Sequence, residues 1–383
     1  MKPGPDMPAP LTVELQLQRP GLDIQVQFRV PAGHVCALVG HPGSGKTAVL
    51  QAAAGLLPAR GGRVTLGAHV LFDAPGRVNQ PPEQRRFAWV DGRAHLFAHL
   101  TVRQNLAYGL DPGMPAAARR QAVSDAAEQF GLGPVLERHP RHIDVPLRQR
   151  TALARALLSQ PRALILHDPL AEVAPQDRDT LLDVLQHHLR RLRLPVLMSS
   201  PRMDEVIRLA DDLVIVHEGR VAGAGPVNRM LSDVSMATFL EGVHAGSVLD
   251  GVVRQHDIQW LLSEVDVAGQ RVAVPAVLAS EGQRVRLKIR ARDVSIHRHA
   301  IADSGQSNQL RGRITQVMLA GDHGSFGAVA AELERAIDAH GHVEAGEQIW
   351  ALMTRRSIQQ MGLAPGQDCH ISFKSMAVSV ATR

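Results

Sequence analysis

The sequence predicts an α/β domain built on a largely parallel sheet, followed by a smaller β-rich domain. Three observations predict it. Strand-like and helix-like segments alternate from residue 11 to about residue 221. Gly40–Thr47 fits G-x-x-x-x-G-K-T between a buried strand and a helix. Beyond Ser232 the helical pattern gives way to strands separated by Gly- and Pro-containing turns. The border falls near 232–250, which divides the chain into 1–233 and 234–383.

Each element follows from its pattern. LTVELQLQ and LDIQVQFRV, within 11–30, alternate apolar and polar positions, the mark of half-buried strands. VCALV at 35–39 is apolar throughout and reads as a strand buried on both faces. From Lys46 the spacing becomes helical in KTAVLQAAAGLL, closed by Pro58. RVTLGAHVLF is expected as a strand, followed by a Pro- and Gly-rich loop between Asp73 and Pro82. Residues 116–130, 147–159 and 176–193 are expected as helices, with ALILH at 163–167 a buried strand. PVLMSS at 195–200 and DLVIVHEGRV at 212–221 continue the alternation. In the second part, VRLKIRARDVSIH, QLRGRITQVML and CHISFKSMAVSV read as strands of a small barrel.

At 383 residues the chain has room for two cores. A hydrophobic fraction of 45% and a charged fraction of 21% describe an ordinary globular protein. Aromatics make up only 3%, which argues against base-stacking platforms. The net charge of +5 is spread without a basic run, so no nucleic-acid partner is expected. No apolar stretch reaches the roughly 18 residues that span a bilayer, and MKPGPDMPAPLTVELQ lacks the apolar core of a signal peptide. The expectation is a cytoplasmic protein. Cys36 and Cys369 lie far apart in apolar strand-like runs and read as reduced core residues. The 19 histidines form no metal-binding frame.

The sharpest motif is Gly40-His41-Pro42-Gly43-Ser44-Gly45-Lys46-Thr47. Its glycines let the backbone curl so that successive N–H groups converge on phosphate oxygens, and the following helix start adds partial positive charge. Lys46 is placed to meet the terminal phosphates and the Thr47 hydroxyl to ligate Mg²⁺. Nucleotide binding is the inference.

Further blocks narrow the family. PPEQRRFAWVDGRAHLFAHLTVRQNLAYG at 81–109 resembles the segment after the phosphate loop in ABC import ATPases, most closely the molybdate branch. RQRTALARALLSQPRALIL at 148–166 resembles the helix and strand after the ABC signature, and DEVIRLADDLVIVHEGRVAGAGP at 204–226 the last core strands. RARDVSI at 290–296, NQLRGRITQV at 308–317 and ALMTRRSIQQMGLAPGQ at 351–367 resemble the molbindin-like accessory barrel, expected over about 303–380. The resemblance implies a P-loop ABC nucleotide-binding domain followed by a molbindin-like, OB-like β-barrel. It implies ATP and Mg²⁺ as ligands, a membrane permease as partner, and a homodimer or a pairing with another ATP-binding subunit. The place is then the inner face of the cell membrane, as a peripheral subunit.

The resemblance also exposes departures. The Gln that senses the γ-phosphate falls at Gly92, and the LSGGQ-type signature at Ile143-Asp144-Val145-Pro146-Leu147. An Asp there repels phosphate, and the Pro removes an N–H donor. The Mg²⁺-binding Asp falls at His167 and the catalytic Glu at Asp168, one methylene shorter. If Asp168 is instead the Mg²⁺ residue, Pro169 occupies the place of the base. The D-loop Asp falls at Ala174 and the switch His at Pro201, and residues 1–27 hold no aromatic for adenine stacking. Slow hydrolysis, with Asp168 as the one candidate catalytic group, is the expectation. In the barrel, Lys374 and Ser375 match one half of the molbindin oxyanion site. In the other half Gly305 stands at the Ser position and Ser307 at the Arg position, with Asn308 retained. Molybdate or tungstate is the anion this implies. Two functions remain open: an importer subunit docked on a permease, or a non-hydrolysing regulatory or scaffold protein that binds nucleotide or oxyanion. A third, molybdate storage, rests on the barrel alone.

Overall fold

The computed structural model describes residues 9–239, 246–277, 279–301, 305, 307–319, 325–334 and 346–382. Contacts divide the chain into two units, Met1–Ala224 and Gly225–Arg383.

The first unit is organised on one 11-stranded sheet. Strands β1 (Leu11–Arg19) and β2 (Leu22–Val30) pair antiparallel, and their alternation buries Leu11, Val13, Leu15 and Leu17 against Ile24, Val26, Phe28 and Val30. Strand β3 (Val35–Val39) is buried throughout and leads through the glycine loop into helix α1 (Lys46–Ala54). RVTLGAHVLF, expected as one strand, is a hairpin of β4 (Gly61–Leu66) and β5 (His69–Asp73). Gly67 sits in its two-residue turn at φ 58°, a conformation glycine adopts without steric cost. The Pro/Gly-rich loop holds a short strand, β6 (Val78–Asn79), and helix α2 (Pro82–Arg85), before β7 (Phe87–Asp91).

Helices α3 (Val102–Tyr108), α4 (Ala116–Gln129) and α5 (Val145–Leu158) follow, then β8 (Ala163–His167), α6 (Pro175–Leu189), β9 (Val196–Ser199) and α7 (Met203–Leu209). DLVIVHEGRV also divides, into β10 (Asp212–His217) and β11 (Arg220–Pro226) about Glu218 and Gly219 at φ 48° and 77°. The sheet order is β6-β5-β4-β1-β2-β11-β10-β3-β9-β8-β7. Its core run β10-β3-β9-β8-β7 is parallel throughout, with helices as crossovers. That arrangement brings the C-terminal ends of β3, β8 and β9 side by side, the edge where open α/β sheets bind ligands.

The second unit starts with α8 (Val227–Ser232) and carries two five-stranded antiparallel sheets. One has the order β14-β13-β12-β15-β21, from β12 (Gly246–Asp257), β13 (Leu262–Val267), β14 (Gln270–Pro275), β15 (Arg284–Arg290) and β21 (Val378–Thr382). The other has the order β16-β20-β17-β18-β19, from β16 (Ser295–His297), β17 (Asn308–Leu319), β18 (Phe326–Leu333), β19 (Gln348–Thr354) and β20 (Asp368–Phe373). Helix α9 (Arg355–Met361) joins β19 to β20. One apolar core, including Leu249, Val265, Ile289, Ile314, Ile349 and Phe373, is shared by both sheets. Cys36 and Cys369 are buried free thiols; burial raises both, Cys369 to about 11.

Candidate nucleotide site

The glycine loop runs from the end of β3 to the first turn of α1. Gly40, Gly43 and Gly45 lie at φ 144°, 82° and 104°, the left-handed side of conformational space where a side chain is strained. Two of these glycines are also required by space. A Cβ on Gly40 would collide with the Val216 carbonyl oxygen, and one on Gly45 would lie 2.8 Å from Ile24 Cδ1. Nothing lies within 4 Å of a Cβ at Gly43, which leaves that part of the loop open. The Lys46 ammonium folds back over the loop, donating to Gly40 O at 2.7 Å, His41 O at 2.8 Å and Ser44 Oγ at 3.3 Å. Its charge is thereby centred in the concavity that the glycines create.

Thr47 follows in the first turn of α1, and its hydroxyl faces His167 at the end of β8, Oγ1 to Nε2 3.5 Å. The other imidazole nitrogen, Nδ1, lies 2.7 Å from Ser199 Oγ at the end of β9. Strand register sets that contact, because His167 and Ser199 are direct partners in the parallel β8–β9 pair. Trp89 of β7 packs against the same ring, 5.7 Å between centroids. Asp168 follows at φ 46°, its N–H donating to Ser199 O at 2.7 Å. Burial raises the Asp168 carboxyl above the usual carboxylate range, with His167, Arg178 and Arg202 opposing.

A second carboxylate stands close by. Glu205, in the first turn of α7, is 2% exposed and accepts from Ser200 Oγ at 2.7 Å. Burial raises it too, and the Asp168 charge adds to the rise. Arg202 lies 3.7 Å from it. Nothing in its sequence position marked Glu205, because the signal is burial, which only the fold creates.

The remaining positions named from sequence are occupied structurally. A Cβ at Gly92 would come within 2.7 Å of Ala171 Cβ, and Gln149 Nε2 pins the loop by donating to Asp91 O and Gly92 O at 2.8 and 2.6 Å. Asp144 is the N-cap of α5, its Oδ1 accepting from Leu147 N at 2.9 Å, with a proline in the first turn. Its carboxylate therefore occupies the donor end that a helix start otherwise offers to an external anion. Ala174 precedes α6 without a side-chain cap.

In the second unit, Ser307, Asn308 and Ser375 come together. Ser307 Oγ and Ser375 Oγ are 2.7 Å apart, and Asn308 Nδ2 donates to Ser375 Oγ at 3.5 Å. Asn308 is 1% exposed and also ties β17 to β14, accepting from Ala273 N at 2.7 Å and donating to Ala273 O at 2.9 Å. Lys374 is exposed, immediately before a short 3-10 turn at Ser375–Ala377. A Cβ at Gly305 would meet nothing within 4 Å; residue 306 lies outside the described residues.

Comparison with known proteins adds independent findings. A family model for the ABC transporter matches residues 24–171, and a model for the TOBE domain matches residues 328–380. The molybdenum import ATP-binding protein ModC of Rhodospirillum rubrum is 33% identical over 368 residues, covering 96% of this chain and 97% of that protein. ModC of Pseudomonas aeruginosa is 35% identical, covering 94% and 96%, and ModC 1 of Azotobacter vinelandii 34%, covering 94% and 95%. Among solved structures, an ATP-binding subunit of an ABC transporter superposes with a TM-score of 0.50 at 22% identity, covering 60% of this chain and 94% of that one. The cbiO1 subunit from Clostridium perfringens superposes with a TM-score of 0.51 at 20% identity, covering 61% and 96%. The two structures carry the fold alone; the relatives carry more. With a phosphate loop at the sheet edge, a matched C-terminal TOBE module and one-third identity over nearly its whole length, the chain belongs to the ABC transporter family, among its molybdenum import ATP-binding proteins.

Proposed function

We propose that this chain is the ATP-binding subunit of an importer for molybdate or a similar oxyanion, and that it holds ATP at Gly40–Thr47 while hydrolysing it slowly. One observation carries the reading: the phosphate cradle is complete while the groups around it are replaced. The curled glycines, the Lys46 ammonium and the start of α1 suit a triphosphate. The donor set suits Mg²⁺ less well. Thr47 offers one hydroxyl, and its side-chain partner is the His167 imidazole, whereas Mg²⁺ favours oxygen ligands. When bound, such an ion neutralises phosphate charge. The chain's own residues bind and orient, with Lys46 at the phosphates and Asp168 as the candidate base.

On this reading residues 1–233 form the nucleotide-binding domain and 234–383 the accessory domain. The subunit sits on the cytoplasmic face of a membrane permease and pairs with itself or with another ATP-binding subunit. Among the described residues no helix is long and apolar enough to cross a membrane. Leu96–Gly109 is the segment assigned to the permease. Thr101 and Gln104 form a capping box at its helix start, the Asn105 side chain braces Phe97, and Tyr108 is 66% exposed beside that ring. Ser307, Ser375 and Lys374 are the groups available to an oxyanion, since Asn308 is committed to β14.

The test measures ATP binding and ATP turnover of the purified chain side by side. Submillimolar binding with turnover far below that of ordinary importer ATPases is expected; normal turnover would sink the slow-hydrolysis part. A second reading, a nucleotide-holding regulatory or scaffold protein, draws on the Asp144 carboxylate that closes the start of α5. Loss of molybdate uptake on deleting the gene, restored by the native chain, supports the importer over the scaffold.

A further inference from the structure

We propose that His167 serves as a phosphate-binding residue in place of a divalent cation, so that this chain binds ATP equally well without Mg²⁺. The inference rests on the proposed ATP site and deepens it. Among the described residues the Thr47 hydroxyl has an imidazole, and no carboxylate, as hydrogen-bond partner. That imidazole is fixed from three sides: by the β8–β9 register, by Ser199 Oγ at 2.7 Å from Nδ1, and by Trp89. Ser199 is only 3% exposed, so its hydroxyl is kept for the ring. Nε2 is left facing the first turn of α1, at the Thr47 hydroxyl, and Thr47 follows Lys46 in the chain.

The chemistry follows from the hydroxyl. A serine O–H rotates freely and donates or accepts with equal ease. When the Ser199 hydroxyl donates to Nδ1, the neutral imidazole carries its proton on Nε2 and presents an N–H toward the phosphates. No change of charge on the ring is required. A hard cation at this place would instead exchange carboxylate oxygens for an imidazole nitrogen, the poorer partner for Mg²⁺. Lys46, the loop N–H groups and His167 Nε2–H together form a donor set for the triphosphate that contains no metal.

The experiment is calorimetric titration of the full chain with ATP, once in Mg²⁺ and once in excess EDTA. The dissociation constant is expected to differ by less than about threefold between the two buffers. His167→Ala is expected to weaken binding by about tenfold or more in EDTA, the loss of a donor to a charged group. His167→Asp is expected to bind poorly in EDTA and to recover with Mg²⁺, as a carboxylate restores a hard-cation site. Native chain that needs Mg²⁺ by about tenfold or more, or that binds only with Mn²⁺ or Zn²⁺, overturns the inference while leaving the ATP site standing. No ATP binding in any buffer overturns the proposed function itself. The native-chain titrations decide the metal question even if a variant folds poorly, which near-UV circular dichroism would reveal.

Discussion

Lys46 and Glu205 show how one side chain is set by its surroundings. The Lys46 ammonium is anchored on Gly40 O, His41 O and Ser44 Oγ, so its position over the loop is built into the free protein. Replacing it with Ala removes charge-assisted contacts worth about 1.5–3 kcal/mol each. Calorimetry of Lys46→Ala should show ATP affinity weakened by roughly tenfold or more, and the melting temperature should fall as well, because the three loop contacts are lost with the ammonium. Glu205 is the opposite case, a carboxyl raised by burial and by the Asp168 charge. A raised folded-state value means the native state holds its proton more tightly than the unfolded chain. Stability therefore falls as pH rises from the ordinary Glu range through the raised value. Glu205→Gln keeps an acceptor for Ser200 Oγ and removes that charge. The variant is expected to melt higher than the native chain at neutral pH and to lose much of this pH dependence; an unchanged pH profile of the melting temperature would refute it.

At the scale of elements, helix ends carry the argument. Helix α1 ends beneath Arg85, a buried guanidinium that donates to Ala52 O and Ala53 O at 2.9 and 2.8 Å and also to Gln80 O and Asn79 Oδ1. The glycine loop sits at the other end of that helix, so Arg85 holds the cradle from behind. Arg85→Ala orphans these acceptors and leaves a void, and urea unfolding should show a loss of about 2–4 kcal/mol. Helix α5 begins at the Asp144 cap. Asp144→Ala should cost about 1 kcal/mol and Asp144→Ser almost nothing, because Ser and Asp are equivalent caps. Equal losses for both would show that the carboxylate does more than cap. These elements differ in how legible they are. The glycine loop is legible because its spacing, strand and helix are contiguous; Asp144 reads from sequence only as a replaced signature residue, and its cap role appears with α5 starting at Val145 rather than 147. The hairpins at Gly67 and Glu218-Gly219 look like continuous strands in the sequence, since two-residue turns barely interrupt an apolar run. Arg85, Ser199 and Glu205 gave no signal, because each acquires its role from chain segments distant in sequence or from burial.

For the whole molecule, the replaced positions matter according to where they lie. Each unit has its own core, one around the 11-stranded sheet and one shared by two five-stranded sheets. The second was expected as a barrel, and its two sheets meet through Asn308, which bonds β17 to β14 by both amide atoms. The first carries His167, Asp168 and Asp144 on the same chain. In the ABC arrangement that the resemblance implies, each ATP is sandwiched between the loop of one subunit and the signature of the other. A pair of identical copies would place His167 and Asp144 at both sites. Pairing with an intact relative would place His167 and Asp168 at one site and Asp144 at the other, so neither site would be whole. The slow-hydrolysis proposal therefore makes a stoichiometric prediction. When an active relative's ATPase is titrated with this chain under conditions where mixed pairs form, turnover per mixed pair should fall well below half that of the relative's own dimer, because both composite sites are damaged. Retention of half the activity would mean that one site of the mixed pair works, and that the Asp144 segment serves as a signature after all.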